Sequence, residues 1–565
     1  MAQARALSRA AWARENATEF IQTHVVNIAG GVLFLLLAVF LLWPISAVLV
    51  KGVYGPEGFT LRFYERFFTA YYYRSFLNTL LLGVLTTSVC ITAGFCIAYL
   101  TTRGPRFLRS PLKWLTLLPL IAPPYIFALS IIMLFGRRGF ITQLLNLDLQ
   151  IFGFTGVVIA QTMAFLPLAY LIIENMLTSL DSSLEDSAAN LGASEGKILR
   201  SITLPLLVPG FLKGSLIVYV MAVSEFGNVA ILAGRTPFLA PDIYTIVTGI
   251  ETDFHMAGTL SMFLLLPVAI IFLVQNYFYK DKGYVTISGK PSYAGPRQMG
   301  LLILIPMMIV ALTEVGLIVL SFAVVAIGGF TRIVGIDNTF TLAYIVDWRA
   351  NHALVSSLRV SLLAGLFGAA LGILIAYVVV RGKFKGRGAV EGLCLAGFAM
   401  PGTVLGIGYL LAFNSPPLLL TGTMIILVLN SVFRFAAVGM EAGITKLQQL
   451  SIEVEEASRN LGASTPTTFR RVVLPIIFPA AMYGFIYVFM TTMVSLSAVV
   501  FLTSPAYPLV AVFIFQWAHS GYIGLASATT VKVIAIVAVC LGIIQVMSRW
   551  TGFSITGEIK GRYGG

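Results

Sequence analysis

The sequence predicts an all-α membrane protein with about twelve transmembrane helices, arranged as two tandem six-helix units related by pseudo-two-fold symmetry. Composition is the first reason: 58% of the 565 residues are hydrophobic and only 11% are charged, which excludes an ordinary soluble globular protein. Apolar runs long enough to cross ~30 Å of hydrocarbon recur along the whole chain. In addition, one polar segment occurs twice, 270 residues apart.

The apolar runs predict six spans in each unit. The spans of the first unit are 26–50, 76–101, 114–136, 155–178, 206–233 and 257–279. Those of the second unit are 299–326, 355–380, 389–413, 418–442, 479–503 and 528–549. The predicted domains are an N-terminal segment 1–25, a first unit 26–279, a linker 280–298, a second unit 299–550 and a tail 551–565.

The basic residues predict the orientation of these spans. Arg103, Arg106, Arg109 and Lys113 cluster in one loop, and the matching loop of the second unit is equally basic. Positive loops face the cytoplasm, so both termini, the linker and the polar segments are expected on that side. The net charge of +13 is then an orientation signal, and no nucleic-acid partner is predicted. Segment 1–25 has no small-residue cleavage site, so the first span is expected to be retained.

The repeated polar segments, here called the first island (residues 181–205) and the second island (residues 451–475), are the most informative feature. Ten of the 26 paired positions from Glu185 to Gly210 are identical at the constant spacing. Asp181 can cap a short helix, which Gly192 in the first island and Gly462 in the second would end in a left-handed conformation. A rigid helix–turn–helix on the cytoplasmic face is predicted twice, which suits a two-fold partner.

The islands resemble the EAA loop of binding-protein-dependent ABC importer permeases. Both copies keep the first Glu, the Gly and the later Leu-Pro, although the first copy shifts or replaces the usual alanines. The resemblance implies that each island is a coupling helix for one of two ATPase subunits. The implied coupling residues are Glu185, Asp186, Ala189, Gly192, Glu455, Glu456, Ala457 and Gly462. We expect Glu185 and Glu455 to contact basic residues of the ATPases directly, and loss of the Gly462 turn to be more damaging than loss of either glutamate.

A second resemblance concerns the substrate. The run from Ser224 to Asn228, together with the linker segment 283–291, is similar to fused ferric-iron permeases. Permeases for thiamine, 2-aminoethylphosphonate or sugar phosphates share the architecture and stay open as alternatives. A periplasmic binding protein is the implied source of substrate, and the bacterial inner membrane is the implied location.

Several polar or helix-breaking residues inside the spans are candidates for a translocation pathway or gate. An ionisable group within a span is costly unless it faces a cavity or a partner, which singles out Glu225. The remaining candidates are Asn228, Ser495, Pro123 and Pro401. Glu174 and Glu441 correspond at a spacing of 267, and a structural pairing is predicted for each. Glu314 and Arg434 are either buried partners or pathway residues.

The sequence contains no complete phosphate-binding loop, so ATP and Mg²⁺ are expected on the partner ATPases, and no cofactor, metal site or catalytic residue is predicted in this chain. The four cysteines show no paired spacing. Two other classes were weighed. A secondary transporter shares the two parallel six-helix halves but has no use for matched islands. A membrane enzyme would need clustered acids or histidines, and the four histidines are scattered.

Overall fold

A computed structural model describes residues 26–55, 57–146, 149–279, 299–382 and 384–550. The predicted segments 1–25, 280–298 and 551–565 lie outside them. Within the described chain, eleven helices are long and apolar enough to cross a membrane, and a twelfth span results if one bent pair counts as a single crossing. The predicted all-α class with about twelve spans is confirmed.

The first unit contains twelve helices and one short hairpin. The helices are α1 Val26–Val53, α2 Arg62–Phe67, α3 Ala70–Arg103, α4 Arg106–Leu117, α5 Ile126–Phe135, α6 Phe140–Leu145, α7 Phe154–Ser179, α8 Ser182–Asn190, α9 Glu195–Ser224, α10 Gly227–Leu232, α11 Leu239–Thr248 and α12 Phe254–Tyr279. The hairpin pairs β1 (Tyr54–Gly55) with β2 (Gly58–Phe59) in antiparallel register.

The second unit repeats this order in the described residues, but without counterparts of α2, α6 and α10. Its helices are α13 Leu301–Gly329, α14 Trp348–Arg381, α15 Arg387–Ala399, α16 Gly402–Ala412, α17 Met424–Gln449, α18 Ile452–Asn460, α19 Pro466–Val494, α20 Val510–His519 and α21 Ile523–Trp550. Its hairpin pairs β3 (Thr331–Ile333) with β4 (Asp337–Phe340), again directly after the first helix of the unit. Corresponding helices have equal lengths: α3 and α14 have 34 residues, α7 and α17 have 26, and α8 and α18 have 9.

Two predicted spans of each unit are interrupted. The third span breaks at Pro123 in the first unit and at Pro401 in the second, as expected for residues that lack a backbone N–H. The bend between α15 and α16 is 109°. The predicted continuous spans 206–233 and 479–503 are wrong, because α9 ends at Ser224 and α19 ends at Val494. Hydropathy alone misses these ends, since the apolar sequence continues past them.

The first helix of each unit packs on the other unit. In the first unit α1 lies against α16, and in the second α13 lies against α5, so each meets the broken third span of its partner. Gly408 makes the first contact possible, because a Cβ there would lie 2.6 Å from the carbonyl oxygen of Pro44. Ser130 donates to Ser321 at 2.8 Å in the second contact. This exchange gives the two units a shared core and matches the predicted pseudo-two-fold arrangement.

Candidate functional site

The two islands form nearly identical helix–turn–helix structures. The Asp181 side chain accepts a hydrogen bond from the backbone N–H of Ser183 at 2.9 Å and so caps α8. Gly192 ends the turn after α8 with φ +81°, and Gly462 does the same after α18 with φ +86°. Both predicted left-handed turns are confirmed. They favour glycine because residues with a Cβ rarely adopt this conformation.

Each island enters its membrane helix through a widened, π-helical turn. These turns cover Leu199–Thr203 in α9 and Phe469–Val473 in α19, again 270 residues apart. A proline follows each turn, Pro205 in one unit and Pro475 in the other. Proline offers no N–H and its ring crowds the carbonyl one turn earlier, which a π turn accommodates. The islands are therefore continuous with the fifth membrane helix, and a displacement of either would be transmitted to the other.

The first glutamate of the first island is buried in an ion pair. Glu185 is 2% exposed, and the Nε of Arg103 donates to its Oε2 at 3.1 Å. The hydroxyl of Thr203 donates to its Oε1 at 2.7 Å. Arg103 also reaches the carbonyl oxygen of Leu177 at 3.4 Å. This ion pair therefore joins α8 to the last turn of α3 and the end of α7.

The second island repeats the arrangement with one change of partner. Glu455 is fully buried, and the Nε of Arg381 donates to its Oε1 at 2.7 Å. Arg381 also donates to the carbonyl oxygens of Leu447 and Leu450, at 3.2 and 3.0 Å. The hydroxyl of Tyr377 donates to Oε2 of Glu455 at 3.3 Å. Tyr377 and Arg381 come from the end of α14, so the same three helices are joined in both units.

These contacts argue against the expected direct contact between the two glutamates and a partner, which stays a prediction. Both carboxylates of Glu185 and Glu455 face the interior of this chain, because a buried basic side chain from the second membrane helix draws them inward. The other predicted coupling residues are exposed at the island surface: they are Asp186, Ala189, Gly192, Glu456, Ala457 and Gly462. Their role in docking stays a prediction.

Sequence reasoning missed the apolar part of this surface. Leu191 is 89% exposed in the first island, and Leu461 is 90% exposed at the matching position. A second matched pair is Leu184 at 52% and Val454 at 40%. Apolar side chains at equal positions in two otherwise polar segments were the available signal. Such a patch, rimmed by polar groups, is typical of a protein–protein contact.

The interruption of the fifth span in the first unit is built around a carboxylate. Glu225 follows the end of α9, and its two oxygens accept the backbone N–H of Asn228 at 2.9 and 3.1 Å. The amide of Gln161 lies 3.5 Å from Oε2. Asn228 in turn accepts the N–H of Ala128 through its side chain at 3.1 Å. Glu225 and Asn228 thus connect the break in the fifth span to the helix that follows the Pro123 break, and their place in a pathway remains a prediction.

The second unit places an arginine where the first has a carboxylate. Ser495 occupies the position of Glu225, and Nη1 of Arg434 lies 3.5 Å from its hydroxyl and 3.4 Å from that of Ser497. A Cβ on Gly402, next to the Pro401 break, would lie 2.7 Å from both Nη atoms of Arg434 and would overlap the Ser497 hydroxyl. Arg434, which the sequence left open, therefore belongs to the junction of the third, fourth and fifth spans.

Aromatic rings from both units meet on the side of the membrane helices away from the islands. Phe226 lies 5.2 Å from Phe515 and 5.1 Å from Tyr244, measured between ring centroids. Tyr244 lies 5.8 Å from Phe501. Phe226 and Phe515 are 1% and 3% exposed. This cluster closes the interface between the units on that side.

The remaining acids have separate roles. Glu174 accepts from Lys113 at 2.9 Å, which fits the predicted structural pairing. Its alignment with Glu441 was wrong: α7 and α17 have equal lengths and begin 270 residues apart, so Glu174 corresponds to Ile444. Glu441 instead lines a cavity of about 360 Å³ along α17. Glu314 lies half-buried on α13, outside the ion pairs found among the described residues.

Comparisons with known proteins agree with this architecture. The model of the family described as binding-protein-dependent transport system inner membrane component matches twice, at residues 90–281 and 368–552. The chain is 32% identical over 531 residues to the ferric transport system permease protein FbpB of Actinobacillus pleuropneumoniae, covering 90% of this chain and 76% of that protein. It is also 32% identical over 496 residues to FbpB 1 of Haemophilus influenzae, covering 84% and 77% of the two chains.

A more distant relative matches only one unit. The molybdenum transport system permease protein ModB of Mycobacterium tuberculosis is 33% identical over 206 residues, which cover 35% of this chain and 77% of that protein. The full-length matches, the twofold family match and the paired islands lead to one conclusion. The chain belongs to the family of inner-membrane components of binding-protein-dependent transport systems, as a permease with both of its units fused in one polypeptide.

Proposed function

We propose that this chain is the permease of an ATP-driven importer of ferric iron. The substrate assignment rests on the 32% identity to FbpB over 90% of the chain, whereas the molybdenum permease ModB matches only one unit. The run from Ser224 to Asn228 adds to it, because this run is similar to one in fused ferric-iron permeases. Import of a phosphonate, a sugar phosphate or thiamine through the same architecture is the alternative.

The proposed machine has two ATPase subunits, one on each island, and a periplasmic binding protein on the opposite side. The matched exposed leucines, Leu191 and Leu461, would enter a groove on each ATPase, while the buried ion pairs hold the islands in shape. ATP and Mg²⁺ would be bound by the ATPases, and this chain would act as a transporter subunit without an ATP site. Both termini and the linker would be cytoplasmic.

Reconstituted transport tests the substrate. The purified chain, with its partner ATPase and binding protein, is placed in proteoliposomes, and ATP-dependent uptake of radioactive ferric iron is measured. Molybdate, thiamine and 2-aminoethylphosphonate serve as parallel substrates. Uptake of iron alone is the expected result. Uptake of one of the others in its place, at equal ATPase activity, would assign that substrate instead.

The docking surface is tested independently of the substrate. Changing both Leu191 and Leu461 to Asp should abolish co-purification of the ATPase, because a charge would be forced into an apolar contact. The chain should still insert, since both side chains are exposed. Changing Leu419, which is 60% exposed and lies outside the islands, to Asp is the matched control. Normal association of the double variant would refute the proposed surface.

A further inference from the structure

Arg434 lies deep in the membrane and forms no ion pair among the described residues. It is the eleventh residue of α17, about 15 Å from the start of that helix at 1.5 Å per residue, which is about half of a ~30 Å hydrocarbon core. Its Nε is buried and has no hydrogen-bond partner in the part of the chain that the structure describes. Its two contacts with Ser495 and Ser497, at 3.5 and 3.4 Å, are at the outer limit of hydrogen bonding. The guanidinium carbon also lies 5.0 Å from the centre of the Phe435 ring, but no described carboxylate balances its charge, and a charge at this depth calls for an ionic partner.

Other unpartnered polar groups belong to the helix segments that meet at Arg434. Asn430 is 1% exposed and lies one turn before Arg434 on the same face of α17, and its side-chain N–H₂ has no partner within the described residues. Thr403 is fully buried, and its hydroxyl is also unpaired there. Thr403 belongs to the first turn of the eleven-residue helix α16, whose N-terminus begins at Gly402, beside the Arg434 guanidinium. Each of these groups can donate a hydrogen bond or is a positive helix end, and together with the Arg434 charge this combination favours an anion.

In the first unit, a carboxylate of the chain itself occupies the equivalent position. There Glu225 accepts from the backbone N–H of Asn228 and faces the amide of Gln161. Ser495 has the same backbone conformation as Glu225, with φ −68° and ψ 134° against φ −75° and ψ 133°. The second unit therefore has the geometry of this junction without its carboxylate, and it adds an arginine where the first unit has Ala164.

We propose that Arg434, Asn430, Thr403 and the Ser495–Ser497 segment bind a small soluble oxyanion, such as phosphate or a carboxylate, at the position that Glu225 fills in the first unit. A phospholipid headgroup would have to be drawn about 15 Å into the bilayer to reach Arg434, so a soluble anion fits better. Toward the islands, α17 presents Val438 and Glu441 to the cavity of about 360 Å³, one and two turns beyond Arg434. This cavity thus begins about one turn of α17 beyond the proposed site, within the second unit.

Two variants of the full-length chain test the site, with inorganic phosphate as the probe and purified protein in neutral detergent. Arg434→Gln removes the charge. Ser495→Glu supplies an internal carboxylate, as in the first unit. We expect phosphate to raise the unfolding temperature of the native chain in a saturable manner, and both variants to weaken phosphate binding at least tenfold. Arg74→Gln, an exposed arginine on α3, should bind phosphate like the native chain.

Ser495→Glu also keeps the test decisive if Arg434→Gln fails to fold. Without phosphate, the unfolding temperature of this variant should equal or exceed that of the native chain, because the new carboxylate can accept hydrogen bonds from the unpaired donors near Arg434. A lower unfolding temperature, or a phosphate response that persists in this variant, would overturn the proposal. No saturable effect on the native chain would also overturn it. If phosphatidylglycerol nanodiscs stabilise the chain in an Arg434-dependent manner and phosphate does not, the proposal would be overturned in favour of a lipid headgroup. None of these outcomes depends on the transported substrate.

Discussion

The buried ion pair of the second island offers the sharpest test of how the islands are held. Glu455→Ala leaves the Arg381 guanidinium, which is 14% exposed, without its carboxylate partner. Removing one member of a buried pair costs about 3–5 kcal/mol, because the remaining charge stays desolvated. At 1.36 kcal/mol per factor of ten, the lower figure corresponds to about a hundredfold increase in local opening. The expected result is loss of order in α18 and, through it, loss of ATPase docking.

Hydrogen exchange followed by mass spectrometry measures this directly on peptides covering 452–460. Protection in Glu455→Ala should fall by about two orders of magnitude, up to the limit set by the island's own stability. Protection in Glu455→Gln should fall less, because its amide oxygen can still accept a hydrogen bond from Arg381. Glu456→Ala is the matched control: its side chain is exposed on the same helix, so protection should be unchanged while ATPase association weakens.

A double-variant cycle separates the pair from its surroundings. If Glu455 acts through Arg381, then Arg381→Ala should reduce the protection of α18 about as much as Glu455→Ala does. The loss of protection in the double variant should then be smaller than the sum of the losses in the two single variants. Unchanged protection in Glu455→Ala, combined with lost ATPase association, would refute this reasoning. That pattern would restore the direct contact that the sequence suggested.

Three further predictions concern the turn, the first-unit carboxylate and the topology. Gly462→Val should reduce stability by about 1–3 kcal/mol, and only through its left-handed backbone conformation, because an added Cβ meets no atom within 4 Å. It should therefore be milder than Glu455→Ala, which reverses the order expected from the sequence. Thermal unfolding of the two variants checks this order. Glu225→Gln should lower uptake of a cationic substrate without affecting ATPase association, and unchanged iron uptake would return Glu225 to a purely structural role. Reporter fusions at residues 290 and 560 should read as cytoplasmic and one at 245 as external, so an external signal at 290 would mean a miscounted span.

Much of this architecture can be predicted from the sequence, because it depends on local properties of the chain. Span number follows from the length of apolar runs, and ~20 apolar residues cross a bilayer wherever they occur. The turns at Gly192 and Gly462 were predictable for the same reason, since a glycine directly after a helical segment commonly marks the end of the helix. The duplication was visible because identical polar residues recur at one spacing outside the apolar background.

Only the tertiary structure decided what the charged residues face. Glu185 meets Arg103 across 82 residues of sequence, and Glu455 meets Arg381 across 74, so no pattern within either island could reveal that these carboxylates point inward. The donors around Arg434 likewise come from three separate spans. Helical periodicity describes one helix at a time, whereas a buried charge is satisfied by whichever groups the packing of several helices brings to it.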